Sequence, residues 1–324
     1  QRQMCIRDRC KHIVMHYNDG WANGYHYDID KVEFINEGYG LGGFRSEEEF
    51  YKVYDAFYDA IKEYNKQYGK NVKIYAPDLP IGECYYATRA WQYIIHFIEH
   101  MIEENKICDV FSVHAYAYLP KDEKLLIMML RELLNYYGLD IPIAVTEYQI
   151  NDAWDIIPQE FTKNEVYRSA VAGSYDTAVK ILWQGIVDEC YLYRANDRPT
   201  PTGIAKGTLF ANDIPLPCAY TFIPFKEMKN CKIAYIDNPL QDYIPAMAVV
   251  SEELKAVLIS NFQPINISMH LNLDGKYNAK LYLIDANIKA WQPHQIFKGI
   301  RSIDYNIPPY SVVYIVFNQT ISFN

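Results

Sequence analysis

Short apolar runs alternate with long amphipathic segments five times between residues 31 and 229. The runs, which are strand candidates, are VEFIN (32–36), VKIYAP (72–77), CDVFSVHAY (108–116), IPIAVTEY (141–148) and DECYLYRA (188–195). The segments between them carry apolar residues at helical spacing, so each predicts a helix. Strand and helix in regular alternation predict right-handed βα units around a parallel sheet. Both a doubly wound sheet and a (β/α)8 barrel fit this rhythm.

One of the predicted helices carries a clear start signal. Ser46 is an N-cap candidate, and Glu49 follows three residues later, as in a capping box. The helix should bury one face. Its apolar residues at helical spacing are Phe50, Val53, Tyr54, Phe57 and Ile61.

The pattern changes near residue 230. The later apolar runs are short and are separated by Asn, Gly and Pro; they are AMAVVS, AVLISNF, ISMHLNL, AKLYLID and SVVYIVF. This pattern is typical of an all-β module. The sequence therefore predicts an α/β domain over residues 10–229 and a β-sandwich domain over residues 230–324.

Residues 1–9, QRQMCIRDR, stand apart from both domains. They show no periodicity and no hydrophobic core of the kind that a signal peptide has. They look like a translated sequencing-adapter run, and we predict that they are not native.

Composition excludes several classes of partner. The net charge is −9 and the pI is near 5.4, which argues against a nucleic acid or an anionic membrane as partner. No apolar run reaches the roughly 18 residues of a membrane helix. Seven cysteines without a CxxC pair support neither a zinc ribbon nor a disulfide scaffold. They favour a reducing compartment such as the cytoplasm, while secretion and the oligomeric state, including a homo-oligomer, stay open.

Tyrosine is unusually abundant, with 30 residues beside 5 tryptophans. Two interpretations stand side by side. Such aromatic residues can fill a core, or they can line a cleft in which rings stack on sugars.

Polar residues end three of the predicted strands. Asn36 and Glu37 end the first, His114 and Tyr116 the third, and Glu147 the fourth. Buried parallel strands normally read apolar throughout, and barrel enzymes build their sites at the carboxyl ends of strands.

The spacing of Glu37 and Glu147 suggests how they would be used. They are 110 positions apart (147 − 37), or three βα units, which take about 94 residues in a barrel. The loop PDLPIGECYY accounts for the excess. Strands three apart face each other across the barrel mouth, so the two carboxylates can meet at one bond. Glycoside hydrolysis needs such a pair, one to protonate the leaving oxygen and one to attack, at about 5–5.5 Å in retaining enzymes.

A second motif, HFIEH (96–100), matches the H-x-x-E-H pattern of a zinc-peptidase family. It lies in a predicted helix beside the apolar stripe and away from the strand ends. No third ligand follows at helical spacing, so we expect no zinc site here.

Several segments resemble glycoside hydrolase family 39, the β-xylosidase and α-iduronidase family of the clan A barrels. They occur in the family's order and are HYNDGWANGYHYDIDKVEFINE (16–37), FSVHAY (111–116), IAVTEY (143–148), IPLPCAYTFIPFKEM (214–228) and IPPYSVVYIVF (307–317). The resemblance implies a (β/α)8 barrel followed by a C-terminal β-sandwich. It also implies retaining hydrolysis of terminal β-glycosidic bonds, in xylo-oligosaccharides above all, with no metal and no organic cofactor.

The same resemblance implies residue roles. Glu37 would be the acid/base, Glu147 the nucleophile, and Asn36 the partner of the sugar 2-hydroxyl. His114 and Tyr116 would line the sugar subsite, with Tyr116 beside the nucleophile.

The chain departs from the family pattern around these residues. Val32, Ile35 and Gly38 replace two tryptophans and a proline around the acid/base strand. Tyr148 and Gln149 stand where Trp-Asn usually follows the nucleophile. In the last barrel strand, Tyr193 alone maps as a substrate contact. These departures put the substrate, rather than the catalytic pair, in question.

If VEFIN is the fourth strand of a barrel, about 94 residues should precede it, but 31 do. The sequence therefore predicts a fragment with strands 4 to 8 that is inactive or poorly folded by itself. Two other hypotheses remain: a carbohydrate-binding relative without catalysis, and an unrelated doubly wound protein in which Glu37 and Glu147 lie far apart.

Overall fold

The computed structural model describes residues 2–38, 44–82, 87–150, 163–196 and 207–319 of the chain. Its helices are α1 (Arg2–Asn18), α2 (Glu47–Tyr68), α3 (Ala87–Glu103), α4 (Pro120–Tyr136), α5 (Lys163–Arg168), α6 (Ala170–Leu182) and α7 (Pro217–Glu227). Its strands are β1 (Lys31–Glu33), β2 (Lys73–Gly82), β3 (Val110–Tyr116), β4 (Ile143–Tyr148), β5 (Glu189–Leu192), β6 (Phe210–Ala211), β7 (Ile214–Pro215), β8 (Lys232–Ala234), β9 (Ala246–Val250), β10 (Lys255–Asn261), β11 (Ile267–Ile284), β12 (Gln295–Ile307) and β13 (Ser311–Gln319).

The first five strands form one sheet in chain order, β1-β2-β3-β4-β5, and β1 to β4 pair in parallel. The sheet is strongly curled. Lys31 on the first strand and Glu189 on the last form an ion pair at 2.8 Å, and the Tyr75 hydroxyl donates to the same carboxylate at 2.9 Å. The first and last strands in the sheet order therefore approach each other on one face, as in half of a barrel.

The helix predicted to begin after Ser46 is confirmed. The Ser46 hydroxyl accepts the Glu49 backbone N–H at 3.2 Å, and Gly69 ends the helix in the left-handed conformation. Of the predicted apolar positions, Phe50, Tyr54, Phe57 and Ile61 are buried.

Phe97 of α3 packs against the α2 aromatics from the neighbouring helix. Its ring centroid lies 4.8 Å from Tyr54 and 5.8 Å from Phe50. Burying one such side chain contributes about 1.5–3 kcal/mol.

Three predicted boundaries differ from the structure. The segment read as the loop PDLPIGECYY is strand as far as Gly82, because β3 pairs with it despite its prolines. The single helix predicted after residue 163 is broken at Ser169, whose hydroxyl caps α6. Residues 2–9 belong to α1, which the Arg7–Glu63 ion pair ties to α2; that they are not native stays a prediction.

The last six strands form an antiparallel sheet in the order β12-β11-β13-β10-β9-β8. Two predicted runs, ISMHLNL and AKLYLID, join in the long strand β11, while β12 has no counterpart among the predicted runs. Each face carries its own apolar cluster. One includes Leu281 and Ile315, and the other joins Leu258 and Tyr314 to Ile181 of α6. The sandwich and its boundary at residue 230 stay predictions.

The chain divides into two compact units. The first comprises residues 1–116, 125–148 and 185–191, and the second comprises residues 117–124, 149–184 and 192–324. Among the helices of the described ranges, none is long and apolar enough to cross a membrane. Glu37, Asp78, His114 and Glu147 all belong to the first unit.

Candidate active site

Glu37 follows β1 in an unusual backbone conformation. Its φ of 45° lies in the left-handed region, which costs a residue with a Cβ of order 1 kcal/mol and is concentrated at functional sites. Its backbone N–H donates to Asp78 Oδ2 at 3.2 Å. Asp78, on the neighbouring strand, also has a positive φ, 57°. One hydrogen bond therefore joins the segment after β1 to the middle of β2.

Asp78 and Thr146 are the extra residues of two β-bulges. Between β2 and β3, Pro77 pairs with Ser112 and Leu79 with Val113, so Asp78 has no partner. Thr146 is likewise skipped between β3 and β4. The Thr146 hydroxyl donates to Asp78 Oδ1 at 3.2 Å. Bulges redirect side chains beside active sites, and here they bring two polar groups of different strands into contact.

His114 lies at the centre of the site. Its side chain is 2% exposed, and both ring nitrogens face carboxylates. Nδ1 lies 2.9 Å from Glu37 Oε1, and Nε2 lies 2.6 Å from Asp78 Oδ1. Asp78 is itself buried, with 1% of its side chain exposed.

Burial alone would lower the pKa of His114, but its hydrogen bonds to Asp78 and Glu37 act in the opposite direction. Together with the negative charges of Asp78 and Glu147 they raise the pKa to about 10. At neutral pH the ring is therefore an imidazolium that donates both N–H groups.

Glu147, on β4, also approaches the His114 ring. Its Oε2 lies 3.9 Å from His114 Nδ1, and its Oε1 accepts a hydrogen bond from the Tyr116 hydroxyl. One oxygen of Glu37, one of Glu147 and a ring nitrogen of His114 lie within 4.8 Å of one another. The two carboxylates are thus close together, as a barrel site requires and as the doubly wound alternative does not allow.

The remaining predicted contacts differ in their surroundings. Asn36 is exposed beside Glu37, whereas Tyr148 is fully buried. Tyr193 lies in the second compact unit, with the Arg194 guanidinium carbon 5.7 Å from its ring centroid. The roles of these three side chains as substrate contacts stay predictions.

Sequence reasoning missed Asp78 and assigned no role to Thr146. A signal for Asp78 was present, since an acidic residue interrupts the apolar run KIYAPDLPIG just as Glu37 follows VEFIN. The flanking prolines hid it by suggesting a loop. Thr146 stands out as a polar residue at a strand end, but its contact with Asp78 depends on a bulge, and a bulge depends on the register between strands.

The histidines of HFIEH pair with acidic residues of α2. His96 Nδ1 lies 2.9 Å from Glu47, and His100 Nε2 lies 3.0 Å from Asp55. The His100 ring also stacks on Tyr51, with centroids 4.3 Å apart. These side chains join two helices, which accounts for the motif without a metal.

Glu37, His114 and Glu147 have the donor types of a divalent-cation site. However, both ring nitrogens of His114 already face carboxylate oxygens, Nδ1 that of Glu37 at 2.9 Å and Nε2 that of Asp78 at 2.6 Å. We therefore assign no metal ligand here.

Chelation tests this assignment. Dialysis against EDTA is expected to leave the rate of glycoside hydrolysis unchanged, because both ring nitrogens of His114 are already engaged by carboxylates. The measurement is the initial rate before and after dialysis. A loss that Zn²⁺ or Mn²⁺ restores would show that the three side chains form a metal centre.

No protein-family model and no curated protein sequence matches the chain. Solved structures do match its fold. A glucosidase from Croceicoccus marinus superposes with a TM-score of 0.71 at 13% identity, over 98% of this chain and 75% of that chain. A family 39 β-xylosidase from Caulobacter crescentus superposes with a TM-score of 0.72 at 14% identity, over 97% of this chain and 72% of that chain. A family 44 xyloglucanase from Paenibacillus polymyxa superposes with a TM-score of 0.67 at 11% identity, over 97% of this chain and 70% of that chain. At these identities the likeness establishes a shared fold.

Proposed function

We propose that this chain carries the catalytic pair of a retaining glycoside hydrolase, with Glu37 as acid/base and Glu147 as nucleophile. The observation that carries the proposal is the close approach of the two carboxylates, with oxygens within 4.8 Å around His114. Retaining enzymes hold their carboxyl groups about 5–5.5 Å apart, whereas inverting enzymes leave about 6.5–9.5 Å for a water molecule.

In the first step, Glu147 attacks the anomeric carbon and Glu37 gives its proton to the leaving oxygen. The C–O bond breaks with its electron pair on that oxygen, and a glycosyl ester of Glu147 forms. The hydrogen bond that Tyr116 donates to Glu147 Oε1 holds the attacking carboxylate in position. His114 donates to Glu37 Oε1, which leaves the other oxygen of Glu37 to hold the transferable proton.

In the second step, Glu37 is a carboxylate and acts as base. It takes a proton from water while the water oxygen attacks the anomeric carbon, and Glu147 leaves with the ester electron pair. The sugar is released with its original configuration, and Glu37 is protonated again. The cycle needs no metal or organic cofactor.

The substrate class follows from the family 39 resemblance and is part of the proposal: terminal β-linked sugars, xylo-oligosaccharides above all. Solved structures with this fold include enzymes described as a glucosidase and a β-xylosidase. Asn36 would contact the 2-hydroxyl of the sugar, and Tyr148 would belong to the same subsite.

Stereochemistry tests the mechanism. On p-nitrophenyl β-xyloside the first sugar released is expected to be β-xylose, because two inversions restore the configuration. Proton NMR of the fresh reaction mixture distinguishes it from the α-anomer before the two equilibrate. First appearance of α-xylose would contradict a covalent Glu147 intermediate.

The same assay separates the enzyme from the carbohydrate-binding alternative. Hydrolysis of p-nitrophenyl β-xyloside would support the catalytic assignment. Sugar binding without hydrolysis would favour a carbohydrate-binding relative instead.

A further inference from the structure

We propose that Asp78 is a positioning residue, which acts through His114 to orient the proton-donating carboxyl of Glu37. This inference rests on the proposed function, since it assigns to Glu37 the acid/base role. It adds to that function a side chain that touches neither the sugar nor the reacting bond.

The contacts of Asp78 support such a role. One carboxylate oxygen lies 2.6 Å from His114 Nε2 and accepts the Thr146 hydroxyl at 3.2 Å, while the other accepts the backbone N–H of Glu37 at 3.2 Å. A single buried side chain thereby ties together β2, β3, β4 and the segment after β1. A bulge and a left-handed φ at Asp78 itself hold the carboxylate in this position.

Asp78 determines the direction of the hydrogen bond between His114 Nδ1 and Glu37 Oε1. An ionised carboxylate at Nε2 requires a proton on that nitrogen and stabilises a second proton on Nδ1. Nδ1–H then donates to Glu37 Oε1. The carboxyl proton of Glu37 is therefore left on Oε2, where it can point to a sugar oxygen.

Without the negative charge of Asp78, the ring would lose its second proton more readily. A neutral Nδ1 would then accept the proton of Glu37, turning the acid away from the substrate. Asp78 also places a negative charge beside the imidazolium, 2.6 Å from Nε2.

Other titratable groups on the neighbouring strands face the hydrogen-bonded series Asp78–His114–Glu37. Glu147 of β4 lies 3.9 Å from His114 and is paired with Tyr116 of β3. Glu33 of β1 keeps exposed surface, yet desolvation of its carboxyl and the charge of Asp78 raise its pKa to about 7. Asp78 is the one that bonds directly to the far ring nitrogen of His114.

The test is the protonation state of His114, measured by NMR of nitrogen-15-labelled histidine in the 324-residue chain. The chain has 8 histidines, and the spectrum of His114→Gln identifies the signals. In the wild type both ring nitrogens are expected to stay protonated up to about pH 9, in line with the pKa of about 10. In Asp78→Asn the pKa should fall toward the ordinary value of about 6.5.

Asp109→Asn is the matched control. Asp109 precedes β3, pairs with Lys62 at 3.0 Å and accepts the Ile74 N–H at 2.9 Å, and within the described residues no hydrogen bond joins it to His114. Its substitution should leave the His114 signals unchanged. Wild-type His114 titrating near pH 6.5 would overturn the inference, and that measurement does not depend on the folding of any variant.

The rate of glycoside hydrolysis supplies the second readout. Asp78→Asn should lower kcat about 100-fold at pH 7, within the range for general acid–base catalysis. The high-pH limb of its kcat profile should also move to lower pH, because Glu37 donates to the sugar only while His114 is protonated. A lower kcat with an unmoved profile would indicate a merely structural role and would overturn the inference. Absence of turnover in the wild type would instead count against the proposed function, and the NMR result would stand independently.

Discussion

Replacing Glu147 by Gln is expected to lower kcat about 10⁴-fold or more while sugar binding is retained. The amide cannot form the glycosyl ester, and loss of a covalent nucleophile costs this order of magnitude in other hydrolases. The amide keeps the size of the side chain and can still hydrogen-bond Tyr116, so the site should keep its shape. Steady-state kinetics and calorimetric titration with xylobiose measure the two effects separately.

Glu132→Gln is the control for this experiment. Glu132 lies exposed on α4, so the same chemical change there should leave kcat within about twofold. The assignment would be wrong if Glu147→Gln kept more than a tenth of the wild-type kcat. Loss of both turnover and binding, with the fold intact by circular dichroism, would point to a role in holding the sugar.

Replacing Glu37 by Gln is expected to give an effect that depends on the leaving group. For xylobiose, whose leaving sugar must be protonated, kcat should fall about 10²- to 10⁴-fold. For a dinitrophenyl xyloside, whose leaving group needs no proton, the first step should be almost unaffected, and the glycosyl ester should accumulate. A burst of dinitrophenol followed by a slow steady state is the expected time course.

Azide completes this test, because a small anion can occupy the space beside the substituted side chain and attack the ester without a base. It should accelerate turnover of Glu37→Gln and produce β-xylosyl azide, while leaving Glu147→Gln unaffected. Equal losses on both substrates, without acceleration by azide, would contradict the acid/base assignment. If Glu147→Gln rather than Glu37→Gln showed the dependence on the leaving group and the acceleration by azide, the two glutamates would have to exchange roles.

The candidate pair could be predicted from sequence because both glutamates follow apolar runs that end abruptly. Glu37 follows VEFIN, and Glu147 follows IAVT. Parallel strands bring their carboxyl ends to the same edge of a sheet. His114 was predicted for the same reason. What the pattern could not supply was Asp78, because its run contains two prolines that are more common in loops than in strands.

The chemistry of His114 shows the limit of sequence reasoning most clearly. An unpaired buried histidine is normally neutral, since burial lowers its pKa. Here the carboxylates of Asp78 and Glu37 reverse that effect. One of them comes from the neighbouring strand and the other from beyond it, at separations of 36 (114 − 78) and 77 (114 − 37) positions.

Sequence by itself determined the order of βα units, the helix that begins after Ser46 and the residue types at the strand ends. These depend on local periodicity and on capping. Tertiary structure alone decided where the two bulges lie, how far the sheet curls so that Lys31 meets Glu189, and that Asp78 contacts His114. The physical reason is that strand register and sheet curvature arise from pairing between distant segments, which no single segment encodes.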